Sequence, residues 1–451
     1  MASLAEILAA RVLEVKKSVR KSDSLRACAS QHFLDTCAAV MVGLKVGTYQ
    51  ALMESTERSH GTVGIPGARG KWSEMDAGAI VAYQVNSSVY EDGSRYGACH
   101  PAAAVFPVLW ALGQGARLIE LMEAMAGGYE AMVCVASLGN PLFTQRGFHP
   151  TGLCGPFGAA AAAGILLKFD EKTMARALTL APSGSCGLMD AFKEETTQPL
   201  HVSHGVRAGV IAAFMAQQGW AGEKKILEEG FYPAFLGGPP PGNNDQHFGT
   251  GWAIENAYLK PYPGCRHLHP ALDAMGQILR EHVLRPEDVA SINVETYRVA
   301  IDTEIHPVRS RGDAYFNAAY ALSVRVILGR ADWDAFDVKY LEHPGVRELM
   351  ARIVLSLDGA IDKAYPRERG ARVHVAMKNG ERFEAFQPLP RGEPELPLSF
   401  DETAEKFRQE AARYLVKKEV EGVIARVREA RGKGNEVFKV FAGPFPRRKK
   451  G

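Results

Sequence analysis

Residues 152–167 read GLCGPFGAAAAAGILL, five alanines in a row held between glycines. Side chains this small let a helix bring its backbone almost against its neighbours, and a helix that is apolar on every side has to be buried. The run ends at Lys168, short of the ~18 to 20 apolar residues needed to span a bilayer. It therefore predicts the centre of a tightly packed helical bundle. Neighbouring segments agree. PAAAVFPVLWALGQGARLIELMEAMAGGYEAMVCVASLG and RAGVIAAFMAQQGW are broken by Gly, Pro and Asn rather than by strand-like alternation. Helix after helix is expected from Ser3 to about Gly222.

Past Lys260 the character changes. ASINVETYRVAI and ARVHVAMKNGERFEAFQ alternate in the strand manner, and the second holds Asn-Gly between two alternating runs, a hairpin signature. Helical patterns such as YFNAAYALSVRVILG and GVRELMARIVLSL lie between them. These features predict a helical domain over residues 1–262 and a smaller α+β domain over 263–398. Residues 399–451 return to a strong helical period and are expected to rejoin the helical domain, making it discontinuous. The fold class is mostly α with a smaller α+β domain, since 451 residues exceed one simple core. FLGGPPPGNNDQHFG reads as a loop. GTVGIPGARG, glycine-rich but without the Lys-Ser/Thr of a phosphate loop, reads as a surface loop.

A net charge of +2 gives no reason to expect nucleic acid or an acidic membrane, and the terminal PRRKK reads as a solvated tail. Seven cysteines, Cys28, Cys37, Cys99, Cys134, Cys154, Cys186 and Cys265, contain no CxxC pair. An odd, scattered set fits a reducing compartment better than a disulfide framework or a structural zinc site. The N-terminal stretch is amphipathic but carries Glu6 and Glu14, which argues against a secretory or transit segment. The expectation is a cytoplasmic protein with a small-molecule partner, and neither nucleic acid nor membrane.

Three His-Pro pairs precede small-residue or helical runs, at His100, His149 and His269. Proline is favoured at the first position of a helix, so each His falls at a helix N-terminus. Unpaired N–H groups there favour an anion, and the helix dipole favours the neutral imidazole. IHPVRS and EHPGVRELM use the same pair, so it does not mark a site by itself. HVSH puts His201 and His204 at i, i+3, a spacing that suits packing or substrate contact better than a metal. SGSCG resembles a nucleophile elbow only loosely, in a helical context. No phosphate loop, GxGxxG or HExxH appears. What remains is His, Lys, Arg, Cys and Asp beside small residues, which suits acid–base chemistry on a carboxylate with no cofactor and no metal.

Five motifs in order, NSSVYEDGSRYGACHPAAAVFP, GFHPTGLCGPFGAAAAAG, SGSCGLMDAF with TTQPLHVSHGVRAG, LKPYPGCRHLHPALDAM and AYFNAAYAL, resemble the MmgE/PrpD family over nearly the whole chain. The family includes 2-methylcitrate dehydratases, cis-aconitate decarboxylases and an iminodisuccinate epimerase. The resemblance implies a large helical domain, a smaller α+β lid domain, a homodimer and a site between the domains. It also implies roles for particular residues. His100 and His149 would act as base or proton donor, and Cys265 and Tyr320 as proton donors or carriers. Asp92 would keep the acidic position, Lys260 and Arg266 would hold carboxylates, and His201, Gln198 and His269 would contact substrate.

Three departures from the family pattern bear on the reaction. HAxDFDD becomes NSSVYEDGSR, with Tyr90 or Glu91 in place of an aspartate. Gln198 stands where a lysine is usual, leaving Lys193 as the nearest substitute. Cys265 stands where the decarboxylases carry a histidine. Dehydration of a 2-methylcitrate-like or other alkylcitrate-like acid survives these changes best. A decarboxylase or an epimerase on the same scaffold is the alternative. A ligand-binding member without catalysis is the third, and a pocket filled by Tyr90 or Tyr96 would favour it.

Overall fold

In the computed structural model the described residues are 2–56, 61–194, 196–240 and 251–445, without the side chains of Lys193 and Val338. Residues 241–249 of the expected loop, the PRRKK tail and the Lys193 side chain lie outside them. The chain is mostly helical with one small four-stranded sheet, and it divides into two compact units. One comprises Met1–Leu259 and Ser399–Gly451, the other Lys260–Leu398. Among the described residues no helix is long and apolar enough to cross a membrane.

The first unit contains the longer helices α1 (Leu4–Lys21), α2 (Asp23–Val46), α3 (Glu74–Ser87), α4 (Pro101–Leu112), α5 (Leu118–Gly139), α6 (Pro150–Leu166), α7 (Glu171–Leu180) and α8 (Gln198–Gln217). Ser3 and Glu6 form a reciprocal cap that starts α1, whose buried stripe Ala5, Leu8, Ala9, Val12, Val15 and Val19 follows the helical period. The alanine-rich run is α6, buried from Pro150 to Ile165 and packed against α8, α5 and α4. Its closeness to α5 depends on having no side chain at Gly158. A Cβ there would lie 2.9 Å from the Met132 Cβ and 3.1 Å from the Gly128 carbonyl oxygen.

GTVGIPGARG departs from the surface-loop expectation. Val63 and Ile65 are buried in the core, and the Gly64 carbonyl accepts a hydrogen bond from the Trp110 indole at 2.7 Å. Its glycines let the backbone lie against the bundle, which leaves the two branched apolar side chains free to enter it.

In the second unit lie α9 (His269–Glu281), β1 (Val289–Thr296), α10 (Ala318–Leu328), β2 (Ile353–Leu357), β3 (Ala371–Met377) and β4 (Arg382–Gln387). The sheet order is β2-β1-β3-β4, with β1 parallel to β2 and antiparallel to β3. Asn379-Gly380 turns β3 into β4, with Gly380 at φ +94°. Ala371, Val373, Val375 and Met377 point to one buried side of β3, and α9 packs on β3 and β4.

The chain then returns to the first unit through α11 (Phe400–Ala411), α12 (Lys417–Glu429) and α13 (Gly434–Phe441). Phe438 of α13 sits 4.7 Å from Trp110 and 5.9 Å from Phe33, ring centre to ring centre. Each such buried aromatic contributes about 1.5–3 kcal/mol through area removed from water. These contacts fasten the C-terminal helices to α2 and α4.

Candidate active site

Two His-Pro helix starts of the first unit meet. His100 caps α4 and His149 caps α6, each followed by proline at the first helical position. The Thr151 hydroxyl of α6 accepts the backbone N–H of His100 at 3.1 Å, which ties the two starts together. The His100 ring Nδ1 lies 2.6 Å from the backbone carbonyl oxygen of Asp92. A carbonyl only accepts, so Nδ1 carries the hydrogen and Nε2 of the neutral ring bears the lone pair.

His149 is buried, and its backbone N–H donates to the Gly187 carbonyl at 3.0 Å. Its ring meets Phe192 edge-on at 5.0 Å and lies 5.7 Å from the ring of His201 on α8. The Nδ1 atoms of His149 and His201 are both buried with no hydrogen-bond partner among the described residues. Burial, together with the charges that His201 and His100 would carry, holds the His149 pKa well below the ordinary histidine value. His201 is lowered by burial and His204, and His204 by burial and Arg207. The site therefore presents neutral imidazoles.

The SGSCG segment passes over this group. Gly187 adopts φ +131°, and a Cβ on it would come within 3.1 Å of the His201 Nδ1 and 3.3 Å of the His149 Cβ. The Met189 N–H is held by the Gly147 carbonyl at 2.9 Å. The segment follows a short 3-10 turn at Ala181–Gly184, so it is not a strand-to-helix elbow. Gln198 opens α8, one turn before His201, and is half-buried.

Asp92 stands behind His100. Its carboxylate accepts the Ala102 N–H at 3.1 Å, is 2.6 Å from the His32 Nδ1, and accepts the Tyr129 hydroxyl. Burial opposes a charge on His32, but hydrogen bonds to Asp92 and Cys28 overcome it and push its pKa up to about 10. The remainder of the divergent NSSVYEDGSR stretch is equally pinned. Asn86 donates to Glu91 at 2.8 Å, and the Lys406 ammonium donates to the Tyr90 carbonyl at 2.8 Å. Lys406 lies 3.7 Å above the Tyr90 ring and also pairs with Asp35 at 2.7 Å. Tyr90 is thus a packing residue beneath Lys406. Tyr96 is partly buried beside Arg95.

His32, Tyr129 and Lys406 carry no motif in the sequence. The available signal is His32 and Asp35 in the otherwise apolar HFLDTCAAVMVGL.

The other expected residues belong to the second unit. Lys260 is buried. Cys265 has its thiol pushed up by burial, and its N–H donates to the Tyr315 carbonyl at 2.8 Å. The Arg266 guanidinium donates to Glu393 at 3.1 Å, to the carbonyls of Pro390 and Arg391, and to the His269 Nδ1 at 2.9 Å. Arg266, expected to hold a carboxylate, and His269, expected to contact substrate, are thus members of a buried structural network. The Tyr320 hydroxyl, expected as a proton donor, donates to the Ala335 carbonyl at 3.0 Å and is wholly buried against Phe336. Two groups the sequence reading passed over have displaced ionisations. Burial, Arg369 and Arg266 push His267 down to about 3, and burial raises Glu304 to about 7.

The MmgE/PrpD N-terminal domain model matches residues 6–243 and the C-terminal domain model residues 262–430. Human cis-aconitate decarboxylase is 26% identical over 361 residues, 75% of this chain and 73% of that protein. A cis-aconitate decarboxylase-like protein of Aspergillus oryzae is 24% identical over 436 residues, 89% of each chain. Cis-aconitate decarboxylase of Aspergillus terreus is 23% identical over 411 residues, 83% of this chain and 82% of that protein. Two family domains that together span most of the sequence place this chain in the MmgE/PrpD family.

Proposed function

We propose that the protein is a lyase acting on a small hydroxy polycarboxylate, removing water from a 2-methylcitrate-like or other alkylcitrate-like acid. The observation that carries this reading is the geometry of the histidine group. His100 has Nδ1 donating to a carbonyl, the tautomer in which Nε2 bears the lone pair of the neutral ring, and His149 is held neutral. Such a pair suits abstraction of a proton α to a carboxylate. The C–H electron pair becomes the new C=C bond and the neighbouring hydroxyl leaves, with the neutral His149 ring N–H as a hydrogen-bond donor that keeps its own proton. The captured proton leaves with hydroxide as water. A neutral His149 ring at the start of α6 keeps an anionic substrate compatible with a site whose usual lysine is Gln198.

Decarboxylation is the second reading, favoured by the activity named for the relatives. It asks for an acid that delivers a proton to carbon, and a histidine held below its ordinary range has no such proton to give near neutrality. Lys260 and Cys265 stay in the proposal as a carboxylate-holding and a proton-carrying group, each tested by substitution in the same assay.

The test is proton NMR of the chelator-treated protein with 2-methylcitrate, citrate and cis-aconitate in D₂O. A vinyl product from a hydroxy acid without CO₂ release supports dehydration. CO₂ release supports the second reading. Deuterium exchange without net conversion points to an epimerase or isomerase, and silence on all three sends the chain to another substrate or to ligand binding alone.

A further inference from the structure

Asp92 is fully buried, and its carboxylate meets three donors: the Ala102 N–H at the start of α4, the Tyr129 hydroxyl of α5 and the His32 ring of α2. The rings of His32 and Tyr129 are edge-on at 5.4 Å, so the two close on the carboxylate from adjoining sides. A carboxylate held on both oxygens is poorly placed to take a substrate proton. Its backbone carbonyl is what faces the candidate base.

A second acceptor competes for His100. The nearer Glu91 carboxylate oxygen is 3.9 Å from the His100 Nδ1, against 2.6 Å for the Asp92 carbonyl. The two acceptors have opposite consequences. A neutral carbonyl on Nδ1 fixes the hydrogen there and, in the neutral ring, leaves Nε2 basic without favouring a charge, whereas a carboxylate on Nδ1 favours the imidazolium, which is no base. Glu91 is kept turned toward Asn86, with Ser88 at 3.4 Å. The position of the Asp92 backbone therefore decides which acceptor His100 meets.

We propose that His32 and Tyr129 are positioning residues for His100: by clamping the Asp92 carboxylate they hold its backbone carbonyl on the His100 Nδ1 and so fix the tautomer that makes Nε2 a base. The inference rests on the acid–base reading above for its kinetic consequence, but not for its spectroscopic one. It assigns a task to two buried polar side chains that touch none of the other histidines of the candidate site in any contact described above. It also explains why an ionisable ring is kept in the core of α2.

The experiment is a ring-nitrogen correlation spectrum of the full-length, ¹⁵N-histidine-labelled protein without substrate, with the His100 signals identified by their loss in His100→Asn. The intact protein is expected to show His100 protonated at Nδ1 and bare at Nε2. His32→Leu is expected to convert this to mixed tautomers or imidazolium, while His32→Asn, whose amide can still donate to Asp92, restores the original pattern. Where substrate is turned over, His32→Leu lowers kcat about 10- to 100-fold with KM unchanged, the loss expected of a misplaced catalytic group. If His32→Leu does not fold, Tyr129→Phe carries the same test by loss of one oxygen. Folded variants whose His100 signals match the intact protein overturn the proposal. Because the spectrum needs no turnover, failure of the lyase reading and failure of this inference are distinguished.

Discussion

The His100 Nδ1 donates to the Asp92 backbone carbonyl at 2.6 Å, while the Asp92 side chain faces away, toward His32 and Tyr129. One residue therefore joins the buried polar groups of α2 and α5 to the helix start that carries the candidate base. The two ends of that connection respond differently to pH and to substitution.

His149 is expected to remain uncharged as the pH falls through 6.5, its ordinary value, because burial and the neighbouring His201 and His100 hold its pKa well below that. Histidine proton NMR on the intact protein checks this. A His149 resonance that titrates near 6.5 contradicts the buried geometry.

His32 is expected to make stability depend on alkaline pH. Its folded pKa, about 10, lies above the ordinary 6.5. Its contribution is therefore complete below 6.5 and is lost as the pH rises through about 10. Urea unfolding across this range should show the intact protein losing stability more steeply than His32→Asn. Parallel curves would mean that His32 is not charged beside Asp92.

Lys406→Met is expected to destabilise the fold by about 3–5 kcal/mol, because it leaves the Asp35 carboxylate buried without its cation. The two side chains are 6% and 0% exposed. A loss below about 1 kcal/mol, the size of a surface pair, would contradict this placement.

Gly158→Ala tests the close approach of α5 and α6. The added methyl would meet the Met132 Cβ at 2.9 Å, and overpacking of this kind costs about 1–3 kcal/mol. The denaturant midpoint should fall with the slope unchanged. An unchanged midpoint would mean that the helices part freely at this point.

Much of the architecture is legible in local patterns. The small-residue run announces α6, and Asn379-Gly380 announces the hairpin, because both depend on residues adjacent in sequence. In the candidate site, proline or helical spacing marks His100, His149 and His201, and the family resemblance marks Asp92 and Gln198. The site's supports are not marked, because Asp92 draws its partners from positions 60 and 37 residues away, on helices with no motif. Arg266 and Tyr320 illustrate the reverse. Their chemistry suits a site, but Glu393 and the Ala335 carbonyl, both distant in sequence, engage them in the interior. GTVGIPGARG misleads for a related reason: its glycines signal a turn, while Val63 and Ile65 decide where the turn is packed.

The most direct test of the account is deuterium uptake and vinyl formation from 2-methylcitrate in D₂O, followed by proton NMR for the intact protein and for folded His100→Asn. The account predicts a vinyl product from the intact protein and a rate about 10²- to 10⁴-fold lower in the variant, the contribution of a general base. A variant that forms product at the original rate would contradict the assignment of His100 as the base.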